Sequence, residues 1–302
     1  MSCEEFLYPV YIPSAAEYIN AKEVKNKHVV VMSKYIANND DPGLDSYFHR
    51  LLDHITGGYK NLNKVDKFCV LLTARIVSMG PEIKLTMTCE KTSQNYNGVI
   101  DLNTVLQLVS DVKYNQPRMI RLNKEYSVTV GTPTNMFHNT SLTSLDMFID
   151  IVQEITIKDQ VFDMKKLTLE QKNNIMNNIP GVNFKKILQA GNVYYKGFHD
   201  LVFFTDKNPH DEDSKEKKYK LGIYDKTMFD LVKMSYNYSL NDMYTTMYNL
   251  CNVMNFDSKY AFEMTPIETS IYTQRKAREI EEQKKANESK TPQIGAKPPG
   301  GL

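Results

Sequence analysis

One glycine-rich stretch precedes a lysine and could, by composition, bind phosphate through backbone amides. It reads Gly57-Gly58-Tyr59-Lys60. A phosphate-binding loop needs the spacing GxxxxGK[ST], which lets successive amides surround the phosphate, and that spacing is absent. Glycine also ends helices, because it readily adopts the left-handed conformation of a C-terminal cap. We therefore predict a helix-ending turn at residues 57–58 rather than a phosphate site.

The residues that could bind a metal are too sparse to form a ligand set. His49 and Asp53 lie four apart, so on a helix both would face one ligand, but no HExxH motif accompanies them. Cys89 lacks the second cysteine or histidine that a zinc ribbon places two to four residues later. The acidic run 211–213 lacks the glycine and terminal glutamate of a calcium loop. We predict no metal site and no cofactor.

No pairing of a nucleophile with a base stands out. There is no GxSxG motif, and the six histidines are scattered away from any suitable serine or cysteine. An enzyme would have to assemble its site from distant residues such as His49, Asp53 and His138. We therefore expect that the protein is not an enzyme, and we name no catalytic residue.

The bulk properties are those of a globular protein with little net charge. The 302 residues suit one large domain or two smaller ones. The 37 basic and 36 acidic residues leave a net charge of +1, which argues against general nucleic-acid binding and suits a protein that joins an assembly. We see no signal peptide, and no stretch approaches the ~20 apolar residues of a membrane span. We therefore expect a soluble protein without a membrane partner.

The spacing of apolar residues predicts an α+β fold that is mostly helical, with two small antiparallel β-hairpin sheets packed on helices. Helical spacing predicts helices over residues 21–36, 44–55, 64–79, 141–155, 241–254 and 268–282. Alternation predicts one hairpin over 83–100, a strand over 126–130, and a second hairpin with strands at 200–204 and 219–224.

A division into three parts follows from these elements. We predict an N-terminal helical domain with a ribbon-like hairpin over residues 1–160 and a C-terminal α+β domain with the second hairpin over 161–283. One core shared by both halves is the alternative. From residue 284 the sequence is polar and rich in Pro, Gly and Lys, so we expect a flexible tail over 284–302.

Tyrosines and arginines near the C-terminus are the best candidates for binding a partner. Tyr244 and Tyr248 lie one turn apart, away from the apolar stripe of the predicted helix 241–254, and a second aromatic face of this kind often touches another chain. Packing inside the chain's own domain is the alternative. The mixed-charge helix that follows could project and bind a neighbour. The full candidate set is Tyr236, Tyr238, Tyr244, Tyr248, Arg275 and Arg278.

Five stretches, in this order, resemble the baseplate hub family of T-even-type contractile-tailed phages. They are Tyr8–Ser14 (YPVYIPS), Val65–Gly80 (VDKFCVLLTARIVSMG), the hairpin Lys84–Leu102 with Cys89, Ser127–Thr134 (SVTVGTPT) and Met264–Glu268 (MTPIE). The hairpin is similar to a small zinc-ribbon-like hairpin of the family, but only one cysteine of the pair found in many relatives is present. That departure puts a metal role in doubt.

The resemblance implies a protein that works by contact with other proteins. Its expected partners are other baseplate hub proteins and the tape-measure protein, and an oligomer within the hub is compatible with it. The expected location is the virion tail baseplate, the host cytoplasm during assembly, or both. A subunit retained in the virion and a chaperone released before maturation both remain open. A nucleic-acid-binding module built on a degenerate zinc-ribbon hairpin is the alternative function.

Overall fold

The computed structural model describes residues 6–112, 117–133, 151–158, 160–191, 198, 201–211, 214–223 and 226–288. Two strands open the described chain, β1 (Leu7–Ile12) and β2 (Glu17–Lys22), and they pair antiparallel. Tyr8, Val10 and Ile12 of β1 point alternately inward and are buried. The hairpin therefore covers the core with one face, as the period of two in a strand requires.

Three helices follow the hairpin: α1 (Asn26–Ala37), α2 (Asp41–Ile55) and α3 (Lys64–Met79). Helix α3 is the centre of the fold, because most of its residues are buried and it contacts the β1–β2 hairpin, α2 and later helices. The side chain of Asn63 accepts hydrogen bonds from the amides of Val65 and Asp66, and the Asp66 side chain accepts from the Asn63 amide. This reciprocal cap fixes the start of α3, and Gly80 ends it with a positive φ.

Both hairpins predicted from alternation are present, and they pack against each other. The first consists of β3 (Glu82–Thr88) and β4 (Asn95–Asp101), and the second of β9 (Val202–Asp206) and β10 (Lys217–Lys220). Gly98 leaves no room for a side chain, because an added Cβ would lie 2.9 Å from the Phe204 ring. The Tyr96 hydroxyl donates to the Asp206 carboxylate at 3.1 Å. The mostly helical α+β prediction is confirmed, and the two hairpins form one unit.

A four-stranded antiparallel sheet adds to these hairpins. Its order is β5 (Arg118–Arg121), β6 (Tyr126–Val130), β7 (Val152–Ile157) and β8 (Gln160–Asp163). The strand predicted at 126–130 is confirmed as β6. The helix predicted over 141–155 is wrong at its C-terminal end, since residues 152–155 belong to β7, and residues 141–150 lie outside the described residues.

The remaining elements are short helices and one long one. Helix α4 (Leu102–Ser110) follows the first hairpin. A 3₁₀ turn (Met164–Lys166), α5 (Leu169–Asn177) and α6 (Gly181–Gly191) follow the four-stranded sheet. After the second hairpin come α7 (Thr227–Ser235), α8 (Leu240–Asn252), α9 (Ser258–Glu263) and α10 (Pro266–Glu288). Helix α10 extends through the first residues of the tail predicted at 284–302, and residues 289–302 lie outside the described chain.

One continuous hydrophobic cluster draws buried side chains from both sides of residue 160. It includes Phe48 and Phe68 from α2 and α3, and Phe229 and Tyr236 from the α7 region. The Phe48 ring meets Phe229 edge to face at a centroid distance of 5.8 Å. A smaller cluster of Met247, Leu250, Ala261 and Met264 lies under α8 and α9. The domain boundary near residue 160 stays a prediction.

Candidate partner-binding surface

The glycine turn and the His49–Asp53 pair lie together at the C-terminal end of α2. Gly57 and Gly58 have φ of 65° and 80°, and the Gly58 amide donates to the Asp53 carbonyl at 2.8 Å. This geometry confirms a turn that ends the helix. His49 and Asp53 line an open cleft of about 720 Å³ with Lys67. His138, the third member of the hypothetical enzyme site, lies outside the described residues.

The electrostatics of this cleft favour a neutral histidine. Burial and the nearby Lys67 ammonium lower the pKa of His49, against the opposing effect of Asp45 and Asp53. Lys67 Nζ lies 3.4 Å from His49 Nδ1. Within the described part of the chain, no group of three His, Cys, Asp or Glu residues could hold a metal ion. The contact between His49 and Lys67 is therefore a part-buried polar contact in the wall of this open cleft.

Cys89 is a buried thiol at the tip of the first hairpin. Its amide donates to the Gln94 carbonyl at 2.8 Å, which closes the turn. Hydrogen bonds with the side chains of Thr92 and Asn208 lower the pKa of Cys89 to about 7. Because Asn208 belongs to the loop of the second hairpin, these contacts join the two hairpin tips. The thiol thus packs at an internal contact between hairpins.

Tyr236 is not on the surface, so its prediction as a partner-binding residue is corrected. Its side chain is 0% exposed, and its hydroxyl donates to the Leu71 carbonyl of α3 at 2.8 Å. Burial raises the pKa of Tyr236 well above its ordinary value. The side chain sits against Phe48 with ring centroids 6.4 Å apart. Tyr236 ties α7 to the central helix and leaves no face for another chain.

Tyr244 and Tyr248 are exposed side by side on α8. They are 45% and 64% exposed, while Met243, Met247 and Leu250 on the other side of the helix are buried. The Lys34 ammonium lies 5.9 Å from the Tyr244 ring centroid, a cation–π contact that orients this ring. Tyr238, just before α8, is 39% exposed. These three tyrosines form what we call the tyrosine face.

Buried polar contacts fix the helices that carry this face. The Asn26 amide donates to the Met264 carbonyl at 2.8 Å, and its side-chain Nδ2 donates to the Ala261 carbonyl and to Thr269 Oγ1. Because Asn26 is 2% exposed, each of these bonds would be costly to lose. Asn26 therefore anchors α9 and the first turn of α10 to α1, and α8 contacts both α1 and α9.

Helix α10 becomes mostly exposed after its second turn. The amide of Thr265 donates to Glu268 Oε2 at 2.7 Å and the Glu268 amide donates to Thr265 Oγ1, which caps the helix start. Thr269 is the last buried residue of α10 in the described chain. Arg275 and Arg278 are exposed, and Arg275 Nε lies 3.8 Å from Glu279 Oε1. Both arginines are therefore open to a partner.

An aromatic cluster at the base of α10 was not predicted from the sequence. Phe256 stacks on Tyr260 at a centroid distance of 5.8 Å and meets Tyr272 edge to face at 5.1 Å. Tyr260 and Tyr272 are 47% and 39% exposed. The four-residue spacing of Phe256 and Tyr260 was a local signal, whereas the contribution of Tyr272 needed the fold. We call these three residues the aromatic patch.

Comparison with known proteins gives one family match. The model of the family described as T4 bacteriophage base plate protein matches residues 13–195, which is more than half of the chain. The stretches at 65–80, 84–102 and 127–134 that carried the resemblance lie inside this match, whereas the stretch at 264–268 lies outside it. No curated protein and no solved structure matches. No helix in the described ranges is long and apolar enough to cross a membrane.

Proposed function

Because this chain belongs to the T4 bacteriophage base plate protein family, we propose that it is a subunit or assembly factor of the baseplate hub. Family membership supports a structural or assembly role in the phage tail baseplate. The hub assignment is finer, and it rests on the ordered set of sequence stretches that resemble hub proteins. The protein would act by contact with other hub proteins and with the tape-measure protein.

The tyrosine face is the main observation in support of a protein that acts by binding other proteins. Tyrosine is enriched in protein interfaces because its ring buries a large apolar area and its hydroxyl can still form a hydrogen bond. Tyr244 and Tyr248 lie on a helix whose opposite side is anchored in the protein, so little entropy is lost when a partner covers them. This surface suits a stable protein contact.

The arginines of α10 extend the proposed surface. Arg275 and Arg278 lie three apart on one helix, so both can reach the same partner. Arginine is also enriched in interfaces, where its planar guanidinium pairs with carboxylates. The tyrosine face and this arginine pair lie outside the residues matched by the family model. We infer that the C-terminal helices determine which partner this member of the family binds.

The experiment that tests this function measures where the protein goes during infection. We would quantify it by mass spectrometry in purified particles of the phage that encodes it and in the infected-cell lysate. A fixed small copy number per particle would identify a hub subunit. Abundance in the lysate and in tail-assembly complexes, with absence from particles, would identify an assembly factor. Absence from both particles and assembly complexes would overturn the proposal.

A further inference from the structure

The aromatic patch at the base of α10 is an exposed surface without a partner in the described chain. Tyr260 and Tyr272 are both partly exposed to solvent, and the Phe256 ring contacts both of their rings. Clustered aromatic rings of this kind bind proline-rich segments, because a polyproline II helix presents flat apolar rings and has little conformational entropy to lose.

A segment with this chemistry follows α10 directly. Residues 289–302 read SKTPQIGAKPPGGL and contain Pro292 and the pair Pro298-Pro299. The segment contains two lysines and no acidic residue. The exposed Asp257 lies between Phe256 and Tyr260 in sequence, so the patch carries a carboxylate that Lys297 could approach. The segment and the aromatic patch therefore have opposite charges, and both also offer apolar rings.

The lengths allow the segment to reach the patch within one molecule. Tyr272 to Glu288 spans 16 residues of α10, or about 24 Å at 1.5 Å per residue. Glu288 to Pro298 spans about 31 Å in a polyproline II conformation at 3.1 Å per residue. The chain is thus long enough to return along α10 and place the proline pair on Tyr260 and Tyr272.

We propose that residues 289–302 fold back along α10 and dock Pro298-Pro299 on the aromatic patch of the same molecule. A short tether gives an effective concentration on the order of millimolar, so a contact with a dissociation constant near 1 mM would be half occupied. The docked segment would cover the base of α10. This inference does not depend on the hub assignment, since it concerns only contacts within this chain.

Photo-crosslinking in the full chain tests the proposal. Ala296 would be replaced by p-benzoylphenylalanine, the dilute protein irradiated, and the crosslinked peptides mapped by mass spectrometry. We expect crosslinks within one molecule to the peptides that contain Phe256, Tyr260 or Tyr272. The exposed Tyr18, on β2, is the internal control and should not be crosslinked preferentially. Crosslinks spread without preference, or found only between molecules, would overturn the proposal.

Matched variants distinguish specific docking from non-specific adhesion of the tail. Pro298→Ala with Pro299→Ala changes only the tail and leaves the folded body intact. It should weaken docking about tenfold, or about 1.4 kcal/mol, and so lower the occupancy and the crosslink yield at the patch about fivefold. Tyr260→Ser with Tyr272→Ser should lower it similarly, and Tyr18→Ser should not. An unchanged yield in both double variants would reject docking on this patch.

Discussion

Tyr236 and Tyr238 are two residues apart, yet one is in the core and the other is on the surface. Both precede a helix with a strong apolar stripe, and residue type alone does not separate them. The difference arises because α7 packs on α3, which brings Tyr236 within hydrogen-bonding distance of the Leu71 carbonyl. That contact joins residues 165 positions apart, so local periodicity could not reveal it.

The hydroxyl and the ring of Tyr236 should contribute separately to stability. Tyr236→Phe keeps the ring and removes one buried hydrogen bond, so it should lower the free energy of unfolding by about 1 kcal/mol. Tyr236→Ala also removes the ring and leaves a cavity, and it should cost about 3–5 kcal/mol. Urea denaturation followed by circular dichroism measures both. A Tyr236→Ala protein as stable as the parent would contradict this assignment to the core.

His28 should make the protein less stable in mild acid. Its Nδ1 accepts a hydrogen bond from the Lys25 amide at 3.1 Å, and burial, with the adjacent His54 ring, lowers its pKa from 6.5 to about 4. As the pH falls from 6.5 towards 4, the unfolded chain binds a proton that the folded protein does not. Stability is therefore lost through this window, by up to about 3 kcal/mol for this residue.

The matched variant for this prediction is His28→Gln, which keeps an acceptor at the third residue of α1 and cannot titrate. Between pH 7 and pH 5 the parent should lose about 2 kcal/mol more unfolding free energy than the variant. Between pH 8 and pH 9 the difference between the two proteins should stay constant. Urea denaturation at each pH measures this. Parallel stability curves from pH 8 to pH 5 would show that His28 is not the titrating group.

At the scale of elements, helices and strands were predicted best where residues in the sequence clearly mark their ends. The bounds of α3 agree with the prediction of residues 64–79, because an unbroken apolar period fills the helix and Gly80 ends it. Strand β7 was mistaken for the end of a helix, because a bulge leaves Gln153 without a partner while Glu154 pairs with Thr129 and Val152 with Val130. The bulge puts buried Val152 and Ile155 three residues apart, which is a helical spacing.

The tyrosine face was predicted as one of two alternatives, and the fold shows why. On an amphipathic helix the sequence separates two faces but does not show which neighbours cover the second one. Helix α8 packs through its methionine side on α1 and α9, and Tyr244 and Tyr248 are left exposed. The exposed parts of these two rings are therefore accessible to a partner protein.

Replacing the tyrosine face should weaken partner binding without unfolding the protein. Tyr244→Ser with Tyr248→Ser removes two exposed rings, and truncation of a tyrosine at the centre of an interface costs about 2 kcal/mol, which is about 30-fold in affinity. The free energy of unfolding should change by less than about 1 kcal/mol. Copurification with tail-assembly complexes measures binding. Tyr18→Ser, at a tyrosine on β2 that is even more exposed, is the control and should retain binding.

At the scale of the whole molecule, the central question is whether the two predicted halves form one cooperative unit. Arg75 of α3 is buried, and its Nε donates to the Ser235 carbonyl of α7 at 2.6 Å. Its other nitrogens donate to the carbonyls of Gly80 and Glu82. One guanidinium thus joins α3, α7 and the start of the first hairpin. Separation of the halves would take the Ser235 carbonyl away from this buried charge, which is costly.

We therefore expect both halves to unfold in one transition. The sequence contains no tryptophan, so a single introduced tryptophan reports on its own surroundings. Tyr47→Trp in α2 and Phe184→Trp in α6 place reporters on the two sides of residue 160, at half-buried sites. The buried cluster is continuous across residue 160. In each variant, the urea midpoint measured by tryptophan fluorescence should therefore equal the midpoint measured by circular dichroism. Midpoints that differ between fluorescence and circular dichroism in either variant would instead support two independently folded domains with a boundary near residue 160.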